Sequence, residues 1–289
     1  MYSKYRILRL IGQGQFGRVF CAAHCETGEL VALKELDRQQ FPTKLFLREL
    51  HFLVTLQHPN IVSCRGLEYD RTGRYLVMDY CPGGTLRDLM ESQERLDLSQ
   101  ILKLITDVLL GLEYAHSHRV VHCDLKPENI LLESQDEGWL ARISDFGIAR
   151  FVEEVGRTIT NQGNTGSPAY MSPERFYGCH SYVSDIYSVG VILFELLVGQ
   201  RPFSGVPGEL MSAHLNQVVI IPDTVPLVLR STISTALQKL PQRRFASARE
   251  MLKSIQIATK SLSEKLPSLF QLSDRYPHPY HGLTSKSYK

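Results

Sequence analysis

Short apolar runs separated by turn residues set the pattern of the first eighty residues. Ile7, Leu8, Leu10 and Ile11 lead into a glycine-rich turn, and residues 19–23 and 30–33 follow as two further strands. Glu26-Thr27-Gly28-Glu29 between them is a hairpin signal. Over residues 43–56 the spacing becomes helical, with Phe46, Leu50 and Leu53 on one face and Glu49 one turn before Leu53. His58-Pro59-Asn60 stops that helix, because proline cannot continue the hydrogen-bond ladder. Residues 61–68 and 74–80 read as two more strands, so the first part of the chain is predicted to be a mainly β unit with one helix.

The pattern then changes. Cys81-Pro82-Gly83-Gly84 has the chemistry of a turn. A long helix follows Asp97-Leu98-Ser99, with Ser99 as the expected N-cap. Ile101, Leu104, Ile105, Val108, Leu112 and Ala115 recur at helical spacing and predict a buried stripe. Residues 185–198 and several amphipathic segments up to about Leu262 extend this helical part. The most apolar stretch, 186–198, contains Gly190 and Glu195 and is too short to cross a bilayer, so it predicts a core helix and no membrane span. Residues 266–289, rich in Pro, Ser, Tyr and His, read as an irregular tail. The expected class is α+β: a small β-rich lobe over about 1–80, a hinge over about 79–84 and a larger, mainly helical lobe over about 85–265. The cleft between the lobes is the expected ligand site.

Composition changes this picture little. A chain of 289 residues suffices for one large domain or two lobes. A net charge of +2 argues against a dedicated nucleic-acid binder. The six cysteines are scattered without a C-x-x-C pair, so the expectation is reduced thiols in a cytoplasmic protein, with no zinc site or disulfide framework. The opening Met1-Tyr2-Ser3-Lys4-Tyr5 runs into a strand-like segment without an apolar signal region.

The candidate chemistry is more specific. His122-Cys123-Asp124-Leu125-Lys126-Pro127-Glu128-Asn129 is followed, sixteen residues after Asn129, by Asp145-Phe146-Gly147. Phosphoryl transfer to a hydroxyl needs these groups: a carboxylate to orient the hydroxyl, a lysine to neutralise the moving group, and an amide and second carboxylate to hold a phosphate-bridging metal. Gly12-Gln13-Gly14-Gln15-Phe16-Gly17-Arg18-Val19 has the pattern G-x-G-x-x-G-x-V. A dinucleotide-binding fingerprint would run from a strand into a helix, whereas both flanks here read as strands, which predicts a hairpin folded over phosphates. Lys34 ends the run Val31-Ala32-Leu33-Lys34 on the following strand. A lone strand lysine is ordinarily solvated surface, but this one follows an apolar run and has Glu49 on the next helix.

In order and spacing these runs resemble the eukaryotic-type (Hanks-type) serine/threonine protein kinases over residues 5–260, and the compact form is similar to bacterial members. The resemblance implies a bilobal protein kinase-like fold in residues 1–265 and transfer of the γ-phosphoryl group of ATP to serine or threonine hydroxyls of protein substrates, the chain itself included. Asp124 would be the base, Lys126 the phosphate-side lysine, and Asn129 and Asp145 the ligands of Mg2+. Lys34 would bind the α- and β-phosphates and be held by Glu49. Gly12, Gly14, Gly17 and Val19 would cover the phosphates. Backbone groups of Asp79, Tyr80 and Cys81 would meet adenine, Met78 would border the back of its pocket, and Ala32 and Leu131 would sandwich the ring, although such apolar residues would serve equally in a plain core. Ser167 matches a hydroxyl that contacts the catalytic aspartate. Glu174 would pair with Arg244, and Asp185 would cap the catalytic-loop backbone, both as structural roles.

Three positions depart from the family pattern, the mildest being Ser172, which stands in place of an alanine before Pro173 and Glu174. Cys123 stands where an arginine often pairs with a phosphate on the activation loop, which predicts weak dependence on phosphorylation of Thr158, Thr160 or Thr165, with Arg150 as a partial substitute. Tyr187 stands in place of a tryptophan. Lys34, Asp124, Asn129 and Asp145 are all present, which disfavours a non-catalytic nucleotide-binding scaffold. Glu174 and the loop leading to it disfavour a kinase of small molecules. Kinase lobes can pair back to back into a homodimer, but the sequence names no surface for it.

Overall fold

The computed structural model describes residues 4–14, 17–35, 55–69, 73–92, 95–136, 138–146, 150–151 and 166–265. Glu49 with most of the helix expected at 43–56, the loop threonines Thr158, Thr160 and Thr165, and the segment 266–289 lie outside these residues.

Strands β1 (Tyr5–Gly14), β2 (Gly17–His24), β3 (Leu30–Glu35), β4 (Cys64–Tyr69) and β5 (Arg74–Asp79) form one antiparallel sheet in the order β1-β2-β3-β5-β4. The turn expected at 26–29 forms, with Gly28 at φ 72° and its N–H donating to the His24 carbonyl at 2.8 Å. Ala22, Val31, Leu33, Tyr75 and Val77 make a small apolar core on the sheet. Edge strand β1 is bulged between Ile7 and Arg9 and between Leu10 and Gly12, and leaves Ile7, Leu8 and Leu10 exposed. The strand expected from residue 61 starts only at Cys64, because Ile61 instead bridges in parallel to Ile143 of the helical part.

Past the connector, α1 (Leu86–Glu91) opens on a capping box between Thr85 and Asp88. Helix α2 (Leu98–Ser117) is capped by Asp97 and not by Ser99. The Asp97 carboxylate accepts from the Gln100 N–H at 2.8 Å, and the Gln100 side chain accepts from the Asp97 N–H at 2.8 Å. A cap at Ser99 would have put the apolar Leu102 in the reciprocating position. The stripe from Ile101 to Ala115 is buried as its spacing predicts. Short strands follow as β6 (Val120–Val121), β7 (Ile130–Gln135), β8 (Gly138–Ile143) and β9 (Arg150–Phe151), pairing as β6-β9 and β7-β8.

Helices α3 (Tyr182–Val198), α4 (Pro207–Asn216), α5 (Leu227–Ala236) and α6 (Ala248–Lys265) complete a core shared with α2. Every α3 residue from Ser184 to Glu195 is buried, as a helix apolar all round should be. Among the described residues no helix is long and apolar enough to cross a membrane. The sheet is clasped to the helical part through Asn60, whose carbonyl accepts from the Ile143 N–H at 2.8 Å and whose amide donates to the Ala141 carbonyl at 3.1 Å. Gly111 on α2 makes room for this approach, since a Cβ there would lie 2.6 Å from the Asn60 carbonyl oxygen.

Candidate active site

A cleft of about 710 Å³ opens between the sheet and the helical part, within the size range of small-molecule sites. Gly12, Gly17, Val19, Ala32 and Lys34 line it from the sheet. Met78, Asp79, Tyr80 and Cys81 line it from the connector, and Asp124, Lys126, Asn129, Leu131 and Asp145 form its floor. Gly14 pairs with Gly17 at the hairpin tip. Glu49, expected beside Lys34, lies outside the described residues. Gly17 sits at φ 129°, and a Cβ on it would come within 2.3 Å of the Glu35 carbonyl oxygen, so this turn requires glycine.

The loop carrying Asp124 is shaped from below. Cys123 holds a left-handed backbone at φ 67°, a conformation that costs a non-glycine residue on the order of 1 kcal/mol or more. Asp185 on α3 fixes this turn, accepting from the His122 N–H at 2.8 Å and the Cys123 N–H at 3.0 Å, with His116 Nε2 at 3.0 Å from the same carboxylate. Burial would raise the Asp185 pKa, but the hydrogen bond and charge of His116, followed by His122, hold it below the ordinary aspartate value. His122 Nε2 lies 3.0 Å from the Ser144 carbonyl and so ties this loop to the strand leading into Asp145.

Asp124 is oriented at both oxygens. Oδ1 accepts from the Ser167 N–H at 2.9 Å, so Ser167 reaches it through its backbone and not through the expected hydroxyl. Oδ2 lies 3.0 Å from Lys126 Nζ and 3.3 Å from the Asn129 amide nitrogen. That nitrogen also donates to the Asp124 carbonyl at 2.8 Å. Gly166, at φ 119°, lets the chain pass, since a Cβ would come within 3.2 Å of Asp124 Oδ1 and 3.0 Å of the Arg175 guanidinium.

Across the cleft, the buried Lys34 ammonium meets Asp145 Oδ1 at 3.0 Å. Burial pushes the Asp145 carboxyl upward, but the charge and hydrogen bond of Lys34, with His122 and Lys126 adding to them, leave it below its ordinary value. Asp145 is therefore an anion aimed into the cleft. With the Asn129 nitrogen engaged, the Asn129 amide offers its oxygen. A carboxylate and an amide oxygen suit a hard divalent cation completed by phosphate oxygens.

Two ionic clusters escaped the sequence reading. Arg87 on α1 donates to Glu128 at 3.0 Å and to Glu195 at 3.0 Å and contacts the Tyr170 hydroxyl, which donates to Glu195 at 2.6 Å. Behind the connector, Asp79 accepts from Arg65 at 2.7 Å and from Arg142 at 2.6 Å. The partners are far apart in sequence and carry no local signal. The pair expected from sequence forms as two parallel bonds of 2.7 Å between Arg244 and Glu174.

A family model described as "Protein kinase domain" matches residues 5–257. A probable serine/threonine-protein kinase PknB of Lactococcus lactis is 32% identical over 268 residues, covering 89% of this chain and 42% of the relative. A protein of the same description in Bifidobacterium longum is 32% identical over 268 residues, covering 86% and 38%. CBL-interacting serine/threonine-protein kinase 8 of Arabidopsis thaliana is 34% identical over 253 residues, covering 85% and 56%. The chain thus spans between 38% and 56% of these relatives' lengths.

Proposed function

The chain belongs to the protein kinase domain family, and we propose that it transfers the γ-phosphoryl group of ATP to serine or threonine hydroxyls of protein substrates, itself included. Residues 1–265 act as the kinase domain, with the hinge at 79–84. The observation that carries this reading is the convergence of Asp124, Lys126, Asn129, Lys34 and Asp145 on one cleft.

Each residue has a definite task. Backbone groups of Asp79, Tyr80 and Cys81 face adenine, with Met78 behind it and Ala32 and Leu131 on either side of the ring. Lys34 grips the α- and β-phosphates under the glycine hairpin of Gly12, Gly14, Gly17 and Val19, and Glu49 steadies Lys34. Asp124, held by the Ser167 N–H, accepts a hydrogen bond from the substrate hydroxyl and aligns it for in-line attack. Lys126 offsets charge on the transferring group. Asp145 and Asn129 would hold Mg2+, which would supply positive charge to screen the phosphates. Catalysis then comes from positioning and electrostatics.

Cys123, buried and turned into the left-handed region, supplies no cation for a phosphorylated loop. Activity therefore depends weakly on loop phosphorylation, and replacing Thr158, Thr160 and Thr165 together by alanine should leave phosphoryl transfer largely intact. Loss of transfer in that triple variant would refute this point. The six cysteines are thiols outside any disulfide, in keeping with a reducing, cytoplasmic setting. The reading as a whole is tested by Mg2+-dependent transfer from labelled ATP to serine or threonine, slowed on the order of 10³-fold by Asp124→Asn.

A further inference from the structure

One buried titratable ring has no part in the chemistry above. His214 on α4 is 0% exposed. Its Nδ1 lies 2.9 Å from the Tyr187 hydroxyl on α3, and its Nε2 lies 3.2 Å from the Ala169 carbonyl oxygen. Ala169 belongs to the turn Pro168–Tyr170, two residues past the Ser167 whose N–H holds Asp124 Oδ1. A neutral imidazole has one donor and one acceptor. The carbonyl can only accept, so Nε2 carries the hydrogen and Nδ1 accepts from Tyr187.

The surroundings keep the ring neutral. Phe203 packs edge-on with centroids 4.9 Å apart. Lys239 donates to the His214 carbonyl at 2.7 Å and lies 4.8 Å over the Phe203 ring. The Arg244 guanidinium stands 4.8 Å over the Tyr187 ring while it grips Glu174. Burial first, then the charge of Lys239, opposed by the Ala169 hydrogen bond and aided by Arg201, brings the His214 pKa down to about 4. Tyr187, one of the departures from the family pattern, supplies the hydroxyl that donates to Nδ1.

We propose that Tyr187 and His214 form a positioning relay that fixes the Ser167–Tyr170 wall and, through the Ser167 N–H, aims Asp124 at the incoming protein hydroxyl. The relay rests on the kinase reading above. The neighbouring Tyr170 carbonyl is pinned separately by the Ser188 hydroxyl at 2.8 Å, so loss of the relay loosens one carbonyl and leaves the turn attached to α3. The defect therefore belongs to the protein-substrate side of the cleft. The described residues that line the nucleotide cleft include neither Tyr187 and His214 nor their partners Ala169, Phe203 and Lys239, so nucleotide binding should be spared.

The test is steady-state transfer from ATP to histone, a basic acceptor protein, by wild type, His214→Phe, His214→Gln and Tyr187→Phe. Measurements are made well below each variant's Tm. His214→Phe should lower kcat/KM for the acceptor about tenfold, as expected for an abandoned buried carbonyl, and keep KM for ATP within about twofold. Glutamine, whose side-chain amide can donate to the Ala169 carbonyl, should recover most of the loss, and Tyr187→Phe should fall between. If His214→Phe does not fold, Tyr187→Phe carries the same split. Folded variants with unchanged acceptor kinetics, or with both KM values rising together, would overturn the relay while the wild type still transfers phosphate. A wild type that transfers none would overturn the kinase reading and the relay with it.

Discussion

On the helical side of the cleft, Asp124 is braced at both oxygens by Ser167, Lys126 and Asn129, and its loop is fixed from beneath by the buried Asp185. On the sheet side, Lys34 reaches over the cleft to Asp145, so that pair spans the two units. Among the described residues the sheet's own apolar core comprises Ala22, Val31, Leu33, Tyr75 and Val77, and its edge strand leaves Ile7, Leu8 and Leu10 exposed. The difference teaches where each kind of defect should appear. Groups on the helical floor are organised before substrate arrives, so damage there costs rate or stability. Lys34 on the sheet holds its place partly through Asp145 on the floor and faces the nucleotide, so damage there should cost nucleotide binding.

The comparison can be broken most directly at Asp124. Asp124→Asn keeps an oxygen for the Ser167 N–H but loses the anion that receives the hydroxyl. It should lower kcat on the order of 10³-fold, as removal of a positioned base does, with little change in Tm. On the sheet side, Lys34→Ala should reduce kcat/KM about 10²-fold, and the loss should show in KM for ATP more than in KM for acceptor protein. An equal rise in both KM values would erase the distinction between the two walls.

Stability should fail on the helical side. Arg244 is fully buried against Glu174, and Arg244→Ala would leave an unpaired carboxylate inside the protein. A loss of about 3–5 kcal/mol in urea unfolding is expected.

Acid sharpens the same point. Burial alone would raise the Glu174 pKa, but the hydrogen bonds and charge of Arg244 hold it below its unfolded value of 4.5. Its stabilisation is therefore present above that value and lost as pH falls through the folded one. His214 acts earlier. Its folded pKa of about 4 lies under an unfolded 6.5, so between these values the unfolded chain binds the extra proton and stability falls with pH. The half-buried His58, lowered by burial, adds to this upper stage. Unfolding free energy should decline as pH falls from about 6.5. His214→Phe should flatten the upper part of that decline, and an unaltered pH profile in that variant would contradict the assignment.

The smallest effect is expected at the start of α2, where Asp97→Ala should cost about 1 kcal/mol and Ser99→Ala much less. That helix start also shows what the sequence does and does not reveal. Two residues able to cap lie two positions apart, and the choice between them is set by the partner three residues on, Gln100 for Asp97 and Leu102 for Ser99. The floor of the cleft was legible because its residues lie in one short run with a fixed chemical division of labour. Asp185 and the Glu174–Arg244 pair were legible through the family resemblance. The Arg87–Glu128–Glu195 cluster, the Asp79 clasp and His214 were not, because each joins elements that meet only after the helices pack. A buried histidine also looks in sequence like any other residue of an amphipathic helix. Ile61 was read as strand from its apolar neighbours, and only the Asn60 clasp onto β8 shows why it bridges to the helical part instead.

The most direct test of the central claim is transfer of labelled phosphate from ATP with Mg2+ to the protein itself and to a basic acceptor protein, comparing wild type with Asp124→Asn. The account predicts label on serine or threonine with wild type and a rate on the order of 10³-fold lower with the variant. Equal labelling by both, or none by a folded wild type that binds ATP, would contradict it.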